Sequence, residues 1–351
     1  MKRLTLLLFV LTLSSAASAR DSFKICWSIY VGWMPWAYGA EQGIVKKWGD
    51  KYGIDIEVVQ INDYIESVNQ YTMGEFDACT MTNMDALTIP AVGGVDSTAL
   101  IVGDYSNGND GVVLKGKDEL AQIKGQNVNL VELSVSHYLL ARGLETVGLK
   151  EADVTVVNTS DADIVAAYGT PDVTAVVTWN PLLGEVEAMP DSHKVFDSSQ
   201  IPGEILDLLV INTETLQANP DLGKALVGAW YEIMGTMSGT DVAATDAKTM
   251  MATASGTDLA GYDAQLASTE MFYTPEAALE LVNSGELVDT MKKVAEFSFD
   301  HGLLGVGVPS AEFVGIEMPA GIYGDTGNVA LRFDPSYMQM AADGELDGGT
   351  E

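Results

Sequence analysis

Apolar and polar positions recur along the chain in two periods, one of strands and one of helices, and the predicted elements alternate. Residues 24–29 (KICWSI) have the β-branched and aromatic character of a strand. Pro35 suits the first position of a helix, where its missing N–H costs nothing, and Trp36, Ala40, Ile44 and Trp48 then fall at i+4 on one face. Residues 54–60 form a second strand. Tyr64, Ser67, Val68 and Tyr71 give a second helical stripe that stops at Gly74, and residues 76–81 form a third strand. A βαβαβ run of this kind implies a parallel sheet with right-handed crossovers, whose ligands gather beyond the carboxyl ends of the strands.

After a strand at 99–102 the chain enters a polar, turn-rich segment at 104–111, read as a crossing into a second unit. The alternation then resumes: strand 128–131, helix 136–147 closed by Gly148, strand 154–157, a helix opened by Ser160, strand 173–178. Residues 206–212 are strand-like and form the expected return crossing, followed by helical stretches at 220–237, 241–254 and 275–299. The remainder, 321–351, is Gly-rich and acidic, with the last ten residues expected to fray. A chain of 351 residues exceeds what one core usually serves. The expectation is an α/β protein of two lobes, each a mostly parallel sheet flanked by helices. Lobe one takes 20–105 and 210–332, lobe two takes 106–209, the two crossings form the hinge, and 333–351 is an acidic tail.

Composition narrows what such a fold can do. With 47% hydrophobic and 19% charged residues the chain is no disordered polymer. Lys plus Arg number 18 against 50 Asp plus Glu, and the net charge of −32 repels nucleic acid and anionic membrane surfaces alike. So acidic a surface speaks first to hydration in salt water and second to attraction of cations. Residues 1–19 carry Lys2 and Arg3, an apolar stretch at 6–13 and Ala17-Ser18-Ala19, the order of a cleaved secretory signal. Its removal would take the charge from −32 to −34 and leave a periplasmic protein. The two cysteines, Cys26 and Cys79, fall on the first and third strands. An oxidising compartment permits a bridge, but bonding between adjacent parallel strands is geometrically awkward, so two buried thiols are expected. No spacing suits a metal, and no cofactor motif occurs.

The usual catalytic signatures are absent as well: no nucleophile elbow, no phosphate loop, no His-Glu-x-x-His, and no dinucleotide fingerprint after the first strand. His137, His193 and His301 lie far apart, none with an i+4 partner. A secreted two-lobed α/β chain without catalytic groups has an evident use for its cleft, which is to close on a small solute. A monomeric binding protein rather than an enzyme is expected.

Four segments carry a family resemblance: Gly32-Trp33-Met34-Pro35-Trp36 with Gly43-Ile44; Gly74-Glu75-Phe76-Asp77-Ala78; residues 134–140 (SVSHYLL) with Gly148-Leu149; and Val177-Thr178-Trp179-Asn180-Pro181. Over roughly 24–215 the chain resembles the periplasmic solute-binding proteins of ABC importers in the nitrate, sulfonate and taurine group. Residues 26–36 (CWSIYVGWMPW) and 82–87 (TNMDAL) most resemble the subfamily found with urea-carboxylase-type enzymes, regarded as urea- or guanidine-binding. The resemblance implies a type II periplasmic-binding-protein fold and a permease partner in the inner membrane. Anion-binding relatives hold an oxyanion at a helix N-terminus with Ser or Thr. Here Ser134 and Ser136 are present, but Glu132 precedes them, where its carboxylate would take the positive end of the dipole and repel a sulfonate. The same scaffold is similar to pyrimidine-forming enzymes of thiamine synthesis, which rely on a reactive Lys and His; this cleft edge offers His137 and no nearby lysine.

The candidate ligand residues all fall at strand ends. Trp33, Trp36 and Trp179 either pack the core or line the cleft. Asp85 completes Thr82-x-x-Asp85, a capping box, or faces a ligand. Turn chemistry accounts for Asp110, whereas Asp207 inside an apolar run lacks a solvated explanation. Glu132 and Ser134 choose between capping and contact, and Asn180 between a turn and an orienting amide. Carboxylates with indoles describe a site for a small planar cation. Guanidinium presents its N–H groups in forks that match carboxylates, and its weakly hydrated faces stack on rings. Guanidinium ranks first, urea second, other amines or a sulfonate after them.

Overall fold

The computed structural model describes residues 20–346; the expected signal at 1–19 and residues 347–351 of the expected tail lie outside the described residues. The strands are β1 (Ser22–Trp27), β2 (Asp55–Gln60), β3 (Ala78–Thr82), β4 (Ser97–Ser106), β5 (Asp110–Lys115), β6 (Asn127–Leu130) and β7 (Thr155–Asn158). They continue as β8 (Ala175–Trp179), β9 (Ser192–Asp197), β10 (Leu206–Asn212), β11 (Thr269–Met271), β12 (Gly315–Met318), β13 (Gly321–Tyr323) and β14 (Val329–Phe333). One sheet has the order β13-β12-β14-β4-β10-β3-β1-β2, with β11 added on β4; the other is β7-β6-β8-β5-β9. Helices flank both sheets, so the alternating hydropathy pattern has produced the α/β architecture it implies.

The sheets are mixed rather than mostly parallel. β1, β2 and β3 run parallel, as do β6, β7 and β8, but β10 is antiparallel to both β3 and β4, and β5 to both β8 and β9. Those two strands are where the chain enters and leaves the second sheet, and each reverses direction to do so. The crossings are accordingly tighter than the polar composition suggested: β4 runs on through Ser106 and β5 starts at Asp110, leaving 107–109 as the turn. Leu206–Asn212 is not a connector but a central strand of the first sheet.

Local chemistry explains further departures. The first helix divides at Gly43, whose φ of 72° belongs to the left-handed region, into Met34–Glu41 and Ile44–Tyr52; Ala40 is exposed, so the single i+4 stripe does not exist. Ser284 caps a fresh helix by accepting from the Leu287 N–H and splits 275–299 into Pro275–Val282 and Gly285–Asp300. The tail is structured up to residue 346: Phe333 ends β14, and Tyr337, Met338 and Leu346 are buried. Cys26 and Cys79 form a disulfide, against the expectation of two thiols. They face each other in the β1–β3 register with Cα atoms 4.4 Å apart, within the reach of a bridge.

Candidate functional site

Cross-strand pairing brings the candidate residues together. In the first sheet Asp207 on β10 lies opposite Thr82 on β3 on one side and Asp104 on β4 on the other. In the second, Asp110 on β5 lies opposite Trp179 on β8. Between these rows lies a small cavity of about 10 Å³, lined by Tyr30, Trp33, Tyr64, Thr82, Asp110, Val135, Trp179 and Asp207. That is space for about one water molecule, so a solute of even a few atoms requires the walls to move apart.

Four of the lining side chains form an aromatic cage. Ring centroids of Tyr30 and Trp33 are 4.9 Å apart, those of Trp33 and Tyr64 5.5 Å, and those of Tyr64 and Trp179 5.6 Å, with interplanar angles of 64°, 38° and 75°. Edge-to-face and tilted contacts of this kind are the favourable geometries for rings. Both sheets contribute and are already in contact: Trp179 Nε1 donates to the Ile29 carbonyl at 3.2 Å, the Val31 N–H to the Asn180 carbonyl at 3.3 Å, and the Tyr64 N–H to Asp161 Oδ1 at 3.2 Å. Gly32 permits the tight path between Tyr30 and Trp33, since a Cβ there would meet Asp104 Oδ2 at 2.4 Å.

Four buried carboxyls surround the cage: Asp85, Asp104, Asp110 and Asp207. Tyr64 Oη and Thr82 Oγ1 donate to Asp85 Oδ2 at 2.6 and 2.9 Å, Tyr30 Oη to Asp104 Oδ1 at 2.8 Å, and Ser106 Oγ to Asp110 Oδ2 at 2.6 Å. Yet Asp85 Oδ1, Asp104 Oδ2 and Asp207 Oδ2 are buried without any partner. Among the described residues no Lys, Arg or His forms an ion pair with any of the four. Burial consequently pushes the Asp85 carboxyl up to about 6, against the pull of Tyr64, Thr82 and the Val135 N–H. Burial likewise raises Asp104 and Asp110 to about 7, the negative charge of Asp110 adding to the first and that of Asp85 to the second. Asp207 lies well above the carboxylate range through burial and the nearby charges of Asp104 and Asp110.

Of the nine residues singled out from the sequence, the structure places Trp33, Asp110, Trp179 and Asp207 on the cavity wall, with Asp85 directly behind Tyr64 and Thr82. The capping box at Thr82 is only half formed. Thr82 Oγ1 accepts from the Asp85 N–H at 3.2 Å, but the Thr82 N–H goes to Tyr64 Oη instead of to the carboxylate. Four others stand elsewhere. Trp36 packs on Trp230, centroids 5.3 Å apart, and lines an adjoining chamber whose wall shares Trp33 and Asp207 with the first. Glu132 is exposed, and the start of the following helix is capped by Ser134 instead. Ser134 caps the Val135–Thr146 helix, accepting from the Ser136 N–H and donating to the Val131 carbonyl. Asn180 faces another cavity and spends its amide on the Gly184 N–H and Ser268 Oγ. His137 is off the cavity wall too, held by the Leu133 N–H and Glu151. Sequence reasoning missed Tyr30, Tyr64, Thr82, Val135 and Asp104. Tyr64 carried a signal as a helical stripe member one turn past a strand; Asp104 carried none, because its role follows from sheet register.

The chain is 26% identical over 129 residues to the taurine-binding periplasmic protein of Escherichia coli K12, covering 36% of this chain and 40% of that one. It is 24% identical over 200 residues to a putative binding protein of Brucella abortus, covering 56% and 60%. These matches thus span between two fifths and three fifths of the relatives' own lengths. Among solved structures, the alkanesulfonate-binding protein SsuA of Xanthomonas axonopodis, bound to MOPS, superposes with a TM-score of 0.68 at 14% identity, over 82% of this chain and 96% of that one. The nitrate-binding protein NrtA of Synechocystis gives 0.58 at 13%, over 94% and 98%. The fold is therefore that of periplasmic binding proteins. A model of the NMT1-like family matches residues 26–253, more than half of the sequence, and the chain belongs to that family.

Proposed function

We propose that this chain is the extracytoplasmic solute-binding component of an ABC importer, that it captures a small planar nitrogen-rich cation, and that guanidinium is that solute. One observation carries the reading: three buried carboxyl oxygens without a donor, that of Asp207 on the wall of a cage of four rings and those of Asp85 and Asp104 behind it, have no basic side chain among the described residues paired to them. A guanidinium supplies what each wall lacks. Its forked N–H groups meet carboxylate oxygens, and its faces meet rings. Desolvating the cation costs several kcal/mol, which a paired carboxylate in good geometry offsets, while each indole face adds about 0.5–2 kcal/mol. The same carboxyls oppose an anion such as the sulfonate named for several relatives. Contacts from both sheets favour the closed arrangement in the solute's presence, and the 107–109 turn and the return at 198–205 are where the two lobes would rotate. A permease would read the closed form.

Urea is the second reading, because the buried Trp33 Nε1 lacks an acceptor and would suit a carbonyl. Titration calorimetry with guanidinium chloride, urea and taurine separates the cases. Guanidinium is expected to saturate one site per chain and urea to bind far more weakly. Tight taurine binding with no guanidinium response overturns the proposal.

A further inference from the structure

Asp104 and Asp207 are the two acids for which the fold provides least. They are buried cross-strand neighbours on β4 and β10, and each keeps one buried oxygen with no partner. Like charges directly opposite on adjacent strands repel, and two carboxylates can hydrogen-bond only when one of them carries a proton. The titratable groups that face the pair are Tyr30 from the loop after β1, Asp110 from β5, Tyr262 from the helix Leu259–Leu266 and Tyr273 after β11. All are acids, so among the described residues no facing group neutralises a second negative charge there.

We propose that Asp104 and Asp207 share a single proton in the ligand-free protein, with Asp207 donating to Asp104, and that capture of the cation expels it. This rests on the cation reading above. The balance is one for one: a cation of charge +1 enters and one proton leaves to solvent, so the net charge of the buried site is unchanged. The proton leaves because the incoming N–H donors compete for the oxygen it holds. Left in place, it would put a donor against a donor. Asp104 thereby becomes a specificity-determining residue. A neutral isostere such as urea cannot displace the proton, because doing so would leave two bare carboxylates in contact.

The full chain should bind guanidinium chloride with an affinity that falls about tenfold for each pH unit between about 7 and 5. Calorimetry near pH 6 in buffers of different ionisation enthalpy should report close to one proton released per cation bound. Infrared difference spectra should show a protonated carboxyl band that disappears on adding guanidinium. In Asp104→Asn, proton release should fall toward zero and the pH dependence should flatten. Guanidinium binding that is equally tight from pH 5 to 8 with no proton released overturns the exchange and leaves the solute assignment standing. No guanidinium binding at any pH overturns the solute assignment, and the infrared band in the ligand-free wild type then decides the shared proton by itself: its absence at pH 7 overturns it.

Discussion

Two clusters of buried acids in this molecule have opposite fates. At the cage, Asp85, Asp104, Asp110 and Asp207 stand without cations and are raised. Where the Val135–Thr146 helix meets the helix Gly285–Asp300, the acids are saturated. Glu204 accepts from Arg142 Nε at 2.9 Å, Lys293 Nζ at 2.8 Å and Tyr138 Oη at 2.7 Å. Glu151 bridges His137 and His301. Burial works against both glutamates, yet the hydrogen bonds from Arg142 and Lys293 hold Glu204 below its usual range, and those from the two histidines do the same for Glu151. Glu204 is as buried as the cage acids and Glu151 is half-buried; only the cage lacks counter-ions. The second cluster carries its own counter-ions; at the cage, under the function proposed above, a solute would supply them.

Breaking the saturated cluster should have the largest effect. Glu204→Gln leaves Arg142 and Lys293 facing a neutral amide, and thermal unfolding should show a loss of about 3–5 kcal/mol. Asp207→Asn should do the reverse to the ligand-free protein, raising its unfolding midpoint at pH 8 while weakening guanidinium binding. A midpoint lowered as much as in Glu204→Gln would erase the contrast.

The second test uses pH. The cage carboxyls have folded pKa values above those of the unfolded chain, so the folded state holds more protons between about pH 4 and 7. Their contribution is present below that window and is lost as pH rises through it. Glu204 and Glu151 are lowered, so theirs is present above the ordinary Glu range and lost as pH falls. The ligand-free protein should therefore unfold at a higher temperature at pH 5.5 than at pH 8, and guanidinium should reduce the difference. A midpoint that climbs steadily from pH 5.5 to 8 contradicts the account.

The smallest effect belongs to the rings. Trp179→Leu should weaken guanidinium binding roughly 2- to 30-fold, the worth of one cation–π face. Trp230→Phe, whose indole packs on Trp36 outside the cage, should leave the affinity near wild type.

Much of the secondary structure was legible in hydropathy. Leu206–Asn212 and Pro220–Met237 fall where the pattern puts them, because a buried strand and a long amphipathic helix each impose their own period. The errors were of a different kind: Gly43 and Ser284 end or start helices through backbone chemistry that a stripe of apolar residues does not register. At the site, an Asp in an apolar run was a readable anomaly, and it led to Asp207. Glu132 misleads because nearness in sequence to a helix start is not nearness to the cavity: its side chain is exposed, and Ser134 caps the helix.

By itself the sequence determined the alternation of strands and helices, the acidic surface and the presence of aromatic and acidic side chains at strand ends, since each is a property of neighbours along the chain. Only the tertiary structure decided which of those acids meet. Thr82, Asp207 and Asp104 form a row because β3, β10 and β4 pair in one register, and a shift of one residue would turn Asp207 to the other face. Register is set by contacts far apart in sequence, and so the unpaired carboxyls became visible only once the sheets were assembled.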